Sequence, residues 1–89
     1  MVKIPVYLRD LRDVKHLVQA ASGCQKEVDL ICGRYIVDAK SMLGVFSLPT
    51  FHCVELGVEE EEEQKLTEIL ESFDLLPDGR KKIWERFRS

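Results

Sequence analysis

The apolar residues of this chain change spacing several times, which restricts it to a fold where short strands and helices share one small core. From Val2 to Leu8 the period is two, with Val2, Ile4, Val6 and Leu8 on one side of an extended segment. Pro5 has no amide hydrogen to give a neighbouring strand, so this segment is expected at a sheet edge or a bulge. From Leu11 the period becomes helical. Leu11, Val14, Leu17, Val18 and Ala21 form one stripe, with Arg12, Lys15, His16 and Gln19 opposite. Asp10 stands where a helix cap belongs, Asp13 adds a second carboxylate to the first turn, and Ser22–Gly23 ends the helix.

The remaining segments alternate in the same way. In "EVDLICGRYIVDA", Val28, Leu30 and Cys32 alternate up to Gly33 and β-branched residues follow it, which predicts a hairpin. "SMLGVFSL" predicts a short helix that opens at Ser41 and is closed by Pro49. "TFHCVEL" predicts a fourth strand that Gly57 breaks. "EEEEEQKLTEILESF" predicts a last helix, buried through Leu66, Ile69, Leu70 and Phe73. Its glutamates form a solvated start, where the helix dipole favours negative charge. The order is β-α-β-β-α-β-α. The predicted class is α+β: an open-faced sandwich with a four-stranded antiparallel sheet and helices on one face.

With 89 residues there is room for one small domain. A chain this size buries about 60% of its unfolded surface, so the core must be economical. We expect the domain to occupy residues 1–74 and a basic, aromatic extension to occupy 75–89. The extension carries five basic and two acidic side chains, about +3, so the total of −3 leaves the body near −6. An acidic body has no electrostatic footprint for tracking phosphates, which argues against nucleic-acid binding. In the extension Ile83, Trp84 and Phe87 make a one-turn apolar stripe, suited to packing on the domain or to homo-oligomer formation.

Three cysteines, Cys24, Cys32 and Cys53, fall in no CxxC pair, which points to a reducing compartment and a cytoplasmic location. No segment is greasy or long enough for a secretory signal or a bilayer span, so no membrane association is expected. Strand alternation sends His52 and Cys53 to opposite sides, and no other residues supply metal-ligand spacing. No catalytic triad, phosphate loop or paired-carboxylate site is visible, so neither an enzyme nor a cofactor is expected.

The block "AKSMLGVFSL", preceded by the "CGR" turn and followed by a strand, a glycine and a glutamate-rich last helix, resembles the HPr family. These are histidine-containing phosphocarriers of the bacterial sugar phosphotransferase system. The resemblance spans about residues 2–74, and it implies the same β-α-β-β-α-β-α sandwich. In that family a Gly-x-His-x-Arg-Pro segment opens the first helix, and its histidine passes phosphate from enzyme I to sugar-specific acceptors. The matching segment here is Leu8-Arg9-Asp10-Leu11-Arg12-Asp13. Arg12 keeps the arginine, but Asp10 stands at the phosphoacceptor position. A carboxylate there would cap the N–H groups a phosphoryl needs, and Asp13 would add repulsion. His16 lies on the solvent face, past those donors.

A second family site is a regulatory serine at the start of the short helix, phosphorylated by a dedicated HPr kinase. Ser41 matches it, and Met42, Leu43 and Phe46 match the family's partner-binding patch. The family also includes a catabolite-repression relative that keeps the serine, lacks the histidine and partners a transcription factor. The resemblance therefore implies a regulatory, protein-binding role through Arg12, Met42, Leu43 and Phe46. The partner would be a transcriptional regulator, HPr kinase or phosphotransferase component. Two alternatives are a phosphocarrier acting through Asp10 or His16, and a structural or oligomerisation module.

Overall fold

The computed structural model of the chain describes residues 1–49 and 54–77. Over these residues the elements are β1 (Val2–Val6), α1 (Leu11–Ser22), β2 (Asp29–Cys32), β3 (Tyr35–Asp38), α2 (Met42–Phe46), β4 (Val54–Val58) and α3 (Glu60–Ser72). The strands form one open antiparallel sheet in the order β1-β4-β2-β3. Over the described residues the fold is α+β, with three helices and a four-stranded antiparallel sheet. His52, Cys53 and the stripe of Ile83, Trp84 and Phe87 lie outside the described residues.

Alternation along the strands puts one face of the sheet under the helices. Ile4, Leu56 and Leu30 are aligned across β1, β4 and β2, and all three are fully buried. Lys3, Pro5, Glu55, Asp29 and Ile36 take the other face and are exposed or half-buried. α1 closes the core with Val14, Leu17, Ala20 and Ala21, α2 with Val45, and α3 with Leu66 and Leu70. Each fully buried Leu or Ile side chain contributes about 1.5–3 kcal/mol, so a four-residue helical face outweighs the single residue of α2.

The hairpin between β2 and β3 closes in two residues, Gly33 and Arg34. Gly33 has φ +59, a conformation that disfavours any side chain. β1 lies at a sheet edge, where a proline is tolerated.

Three expectations are corrected. Leu11 is 52% exposed instead of joining the buried stripe of α1, and Asp13 is buried in the same first turn. The helix packs through its later turns, so its first residue overhangs the core. Gly57 does not break the fourth strand, because β4 runs through it to Val58. A Cβ at Gly57 would come within 2.6 Å of Met1 Sδ, so the glycine makes room for the N-terminal methionine. The body also continues past the expected boundary at residue 74. Leu75 and Leu76 belong to the core, and Tyr7 N–H donates to the Leu75 carbonyl at 2.7 Å.

Candidate functional site

The N-terminus of α1 is built from its own sequence. Asp10 has extended backbone angles, and its carboxylate accepts the Asp13 N–H at 3.1 Å while its carbonyl accepts Val14 N–H at 3.3 Å. Asp10 therefore satisfies one of the donors that a helix start leaves free, which is the geometry expected of an aspartate cap. Asp13 answers in the other direction. Its carboxylate accepts the Arg9 N–H at 2.9 Å and Arg9 Nε at 2.8 Å. The result is a reciprocal cap in which the returning carboxylate takes the N–H one residue ahead of the cap.

Asp13, the carboxylate expected to repel a phosphoryl, is thus paired with the charge of Arg9. Burial by itself would raise the Asp13 carboxyl, but the hydrogen bonds and charge of Arg9 outweigh it and hold the group below the ordinary carboxylate range. Arg9 also reaches the far end of α3. Its Nη2 donates to the Asp74 carbonyl at 3.1 Å, and Nη1 pairs with the Asp74 carboxylate at 3.4 Å. Asp74 has φ +60 and occupies the left-handed residue of a Schellman turn, with Leu75 N–H on the Leu70 carbonyl and Asp74 N–H on the Glu71 carbonyl.

His16 is half-buried on α1, and its ring stacks on Phe73 with centroids 4.3 Å apart and planes 7° from parallel. The sequence placed it on the solvent face without a partner, so the aromatic lid is a correction. Arg9, Asp10, Arg12, Asp13, His16 and Phe73 line an open cleft of about 420 Å³. Within it two arginines face two carboxylates. Arg12 is exposed and forms no ion pair with any described residue.

The second locus is α2. Ser41 has extended angles and accepts the Gly44 N–H at 3.1 Å through its hydroxyl. Its own N–H donates to the Asp38 carbonyl at 3.1 Å. Lys40 turns away, its ammonium donating to the Cys24 carbonyl at 2.8 Å. Leu43 is 85% exposed and Phe46 46% exposed. Met42, expected to be exposed with them, is half-buried against the core. A five-residue helix has one apolar side to hide, and Val45 with Met42 supplies it. α1 and α2 pack against each other.

The glutamates at the start of α3 are not solely a solvated face. The Glu62 carboxylate accepts the N–H of Gln25 at 2.6 Å and of Lys26 at 3.2 Å, while Glu61 pairs with the Lys26 ammonium at 2.8 Å. The Gln25 N–H first, then Lys26 N–H and the charges of Lys40 and Lys65, outweigh burial and hold the Glu62 carboxyl below its ordinary value. These bonds fasten the loop leaving α1.

Cys24 and Cys32 are both buried, and burial foremost pushes the Cys24 thiol up. Among the described residues no three His, Cys, Asp or Glu side chains converge as a metal site, and no helix is long and apolar enough to cross a membrane.

Sequence reasoning missed Arg9 and Phe73 as members of the cleft. The four-residue spacing of Arg9 and Asp13 was the available signal for the first. Nothing local pairs His16 with Phe73. No protein-family model, curated protein or solved structure matches the chain.

Proposed function

We propose that this chain is an HPr-like regulatory protein that works by binding other proteins and does not relay phosphate through histidine. One observation carries the reading: the carboxylate of Asp10, at the position of the family's phosphoacceptor, bonds the N–H of Asp13. A phosphoryl group docking there would meet a negative charge already seated on the helix donors. The β-α-β-β-α-β-α order is consistent with the HPr-like sandwich inferred from the residues.

The partner-facing surface is Leu43 and Phe46, with Met42 at its buried margin and Arg12 contributed by α1. Exposed apolar side chains on a short helix form a small contact patch for a protein partner, such as a cytoplasmic transcriptional regulator or a phosphotransferase component. Ser41 is the proposed switch. A phosphoryl on its hydroxyl would add a dianion at the edge of this patch and replace the neutral cap on Gly44. Incubation with HPr kinase and ATP should add one phosphoryl, and Ser41→Ala should abolish it. No added mass, or a gain indifferent to Ser41→Ala, removes the switch.

The cleft beside α1 favours a second reading. His16 stands there with Arg12 unpaired beside it, so a phosphocarrier acting through His16 is the competing function. Enzyme I with labelled phosphoenolpyruvate separates the two. The regulatory reading expects no label on the protein; label that disappears in His16→Ala or Asp10→Asn replaces that reading with a carrier.

A further inference from the structure

The two edges of the sheet are treated differently. β1 forms one edge and carries Pro5 and, two positions before it, Lys3, two features that discourage another strand from pairing there. β3 forms the other edge, and it has no proline, lysine or bulge. Tyr35 is 53% exposed and Ile36 64% exposed, and no described strand pairs with the outer side of β3.

The backbone of β3 is oriented for pairing. The two-residue turn makes Cys32–Tyr35 the hydrogen-bonded closing pair of the hairpin, so by alternation Ile31–Ile36 is a non-hydrogen-bonded pair. Both backbone groups of Ile36 then point away from β2, toward open solvent.

The side chains of this edge read as self-complementary. Ile36 and Asp38 alternate onto one face, and Arg34, the turn residue two positions before Ile36, completes the order positive, apolar, negative along the chain. An identical strand laid antiparallel with Ile36 opposite Ile36 places Arg34 of each copy opposite Asp38 of the other. Two opposite-charge pairs result, and Tyr35 faces Val37 on the reverse side. Ile31, already beside Ile36, extends the contact to a row of four isoleucines across the joined sheets. A shift by one residue would lose both charge pairs.

We propose that β3 is a homotypic docking edge, and that a second copy of this chain pairs with it antiparallel about Ile36 to make a continuous eight-stranded sheet. The ladder is short, because the Asp38 carbonyl already accepts the Ser41 N–H. Two main-chain bonds at Ile36 and two ion pairs hold it, so the dimer dissociates on dilution.

Sedimentation equilibrium of the full-length chain tests this. The mass should rise from 10.3 kDa toward twice that value with concentration. Arg34→Glu, which sets like charges opposite each other twice, should hold the protein monomeric. Adding Asp38→Lys to Arg34→Glu should restore association at the same concentrations. Because Asp38 also accepts the Lys40 N–H, Ile36→Pro serves as an independent variant, removing the outward N–H and the Ile36 side chain without touching Asp38. It should likewise be monomeric, with circular dichroism reporting an intact fold. A wild type that is monomeric throughout overturns the proposal, as does a dimer that survives both Arg34→Glu and Ile36→Pro.

Discussion

The first turns of α1 and α2 share a capping geometry and differ in almost everything around it. Each helix starts from an extended residue whose side-chain oxygen takes the N–H three residues on: Asp10 that of Asp13, Ser41 that of Gly44. At α1 the cap is charged, its neighbour Asp13 is bound by Arg9, and Arg9 is anchored to the end of α3. At α2 the cap is neutral, and the residues behind it, Leu43 and Phe46, face solvent. One helix start has been absorbed into the architecture, while the other keeps a modifiable hydroxyl next to an apolar surface. A capping residue therefore does not by itself tell whether a helix start is available to a partner.

The largest expected contrast lies in the core beneath each helix. Leu17→Ala, at a fully buried site on α1, should cost about 2–5 kcal/mol in denaturant unfolding. Val45→Ala beneath α2 removes fewer buried atoms, so it should cost less. A Val45→Ala loss equal to that of Leu17→Ala would show that α2 is as deeply anchored as α1.

Acid sharpens the comparison next. Asp13 and Glu62 both titrate below their ordinary values of 3.8 and 4.5 in the folded protein. The unfolded chain therefore binds more protons in acid, and stability rises with pH over that range. Their contribution is fully present above about pH 5 and is lost as pH falls through the folded-state values. Asp13→Asn should flatten the acid limb of the stability profile at α1, whereas Ser41→Asn should leave it unchanged.

Smaller effects separate the caps. Asp10→Ala and Ser41→Ala should each cost about 1 kcal/mol, and Ser41→Asn only a few tenths, since asparagine also caps. Ser41→Asn thus removes the hydroxyl while sparing the fold. Least of all, Leu43→Ser should change stability within about 0.5 kcal/mol. Its effect should appear instead as weakened capture, in a binding titration, of the kind of protein partner proposed above.

Much of the fold was legible because its signals are local. The period of two in Val2–Val6, the helical stripe through Val14 and Leu17, and the caps Asp10 and Ser41 depend on residues a few positions apart. Backbone geometry fixes where those side chains point before any tertiary contact forms. The same local logic misread Leu11 and Gly57, and the family resemblance misplaced Met42. Whether a stripe residue is covered, or a glycine interrupts a strand, depends on which segment lies across it.

The candidate cleft was legible only in its α1 half. Asp10, Arg12 and His16 stand on α1 or at its cap. Phe73 arrives from the end of α3, and Arg9 is held there by its contact with Asp74, 65 positions along the chain. The sequence by itself determined the alternation of strands and helices and the chemistry at each helix start, because these follow from residue type and short-range spacing. Tertiary structure alone decided that Arg9 neutralises Asp13, that His16 lies under Phe73, and that β3 rather than β1 offers an unguarded edge. Those outcomes depend on how distant segments pack together, and residue spacing carries no record of that.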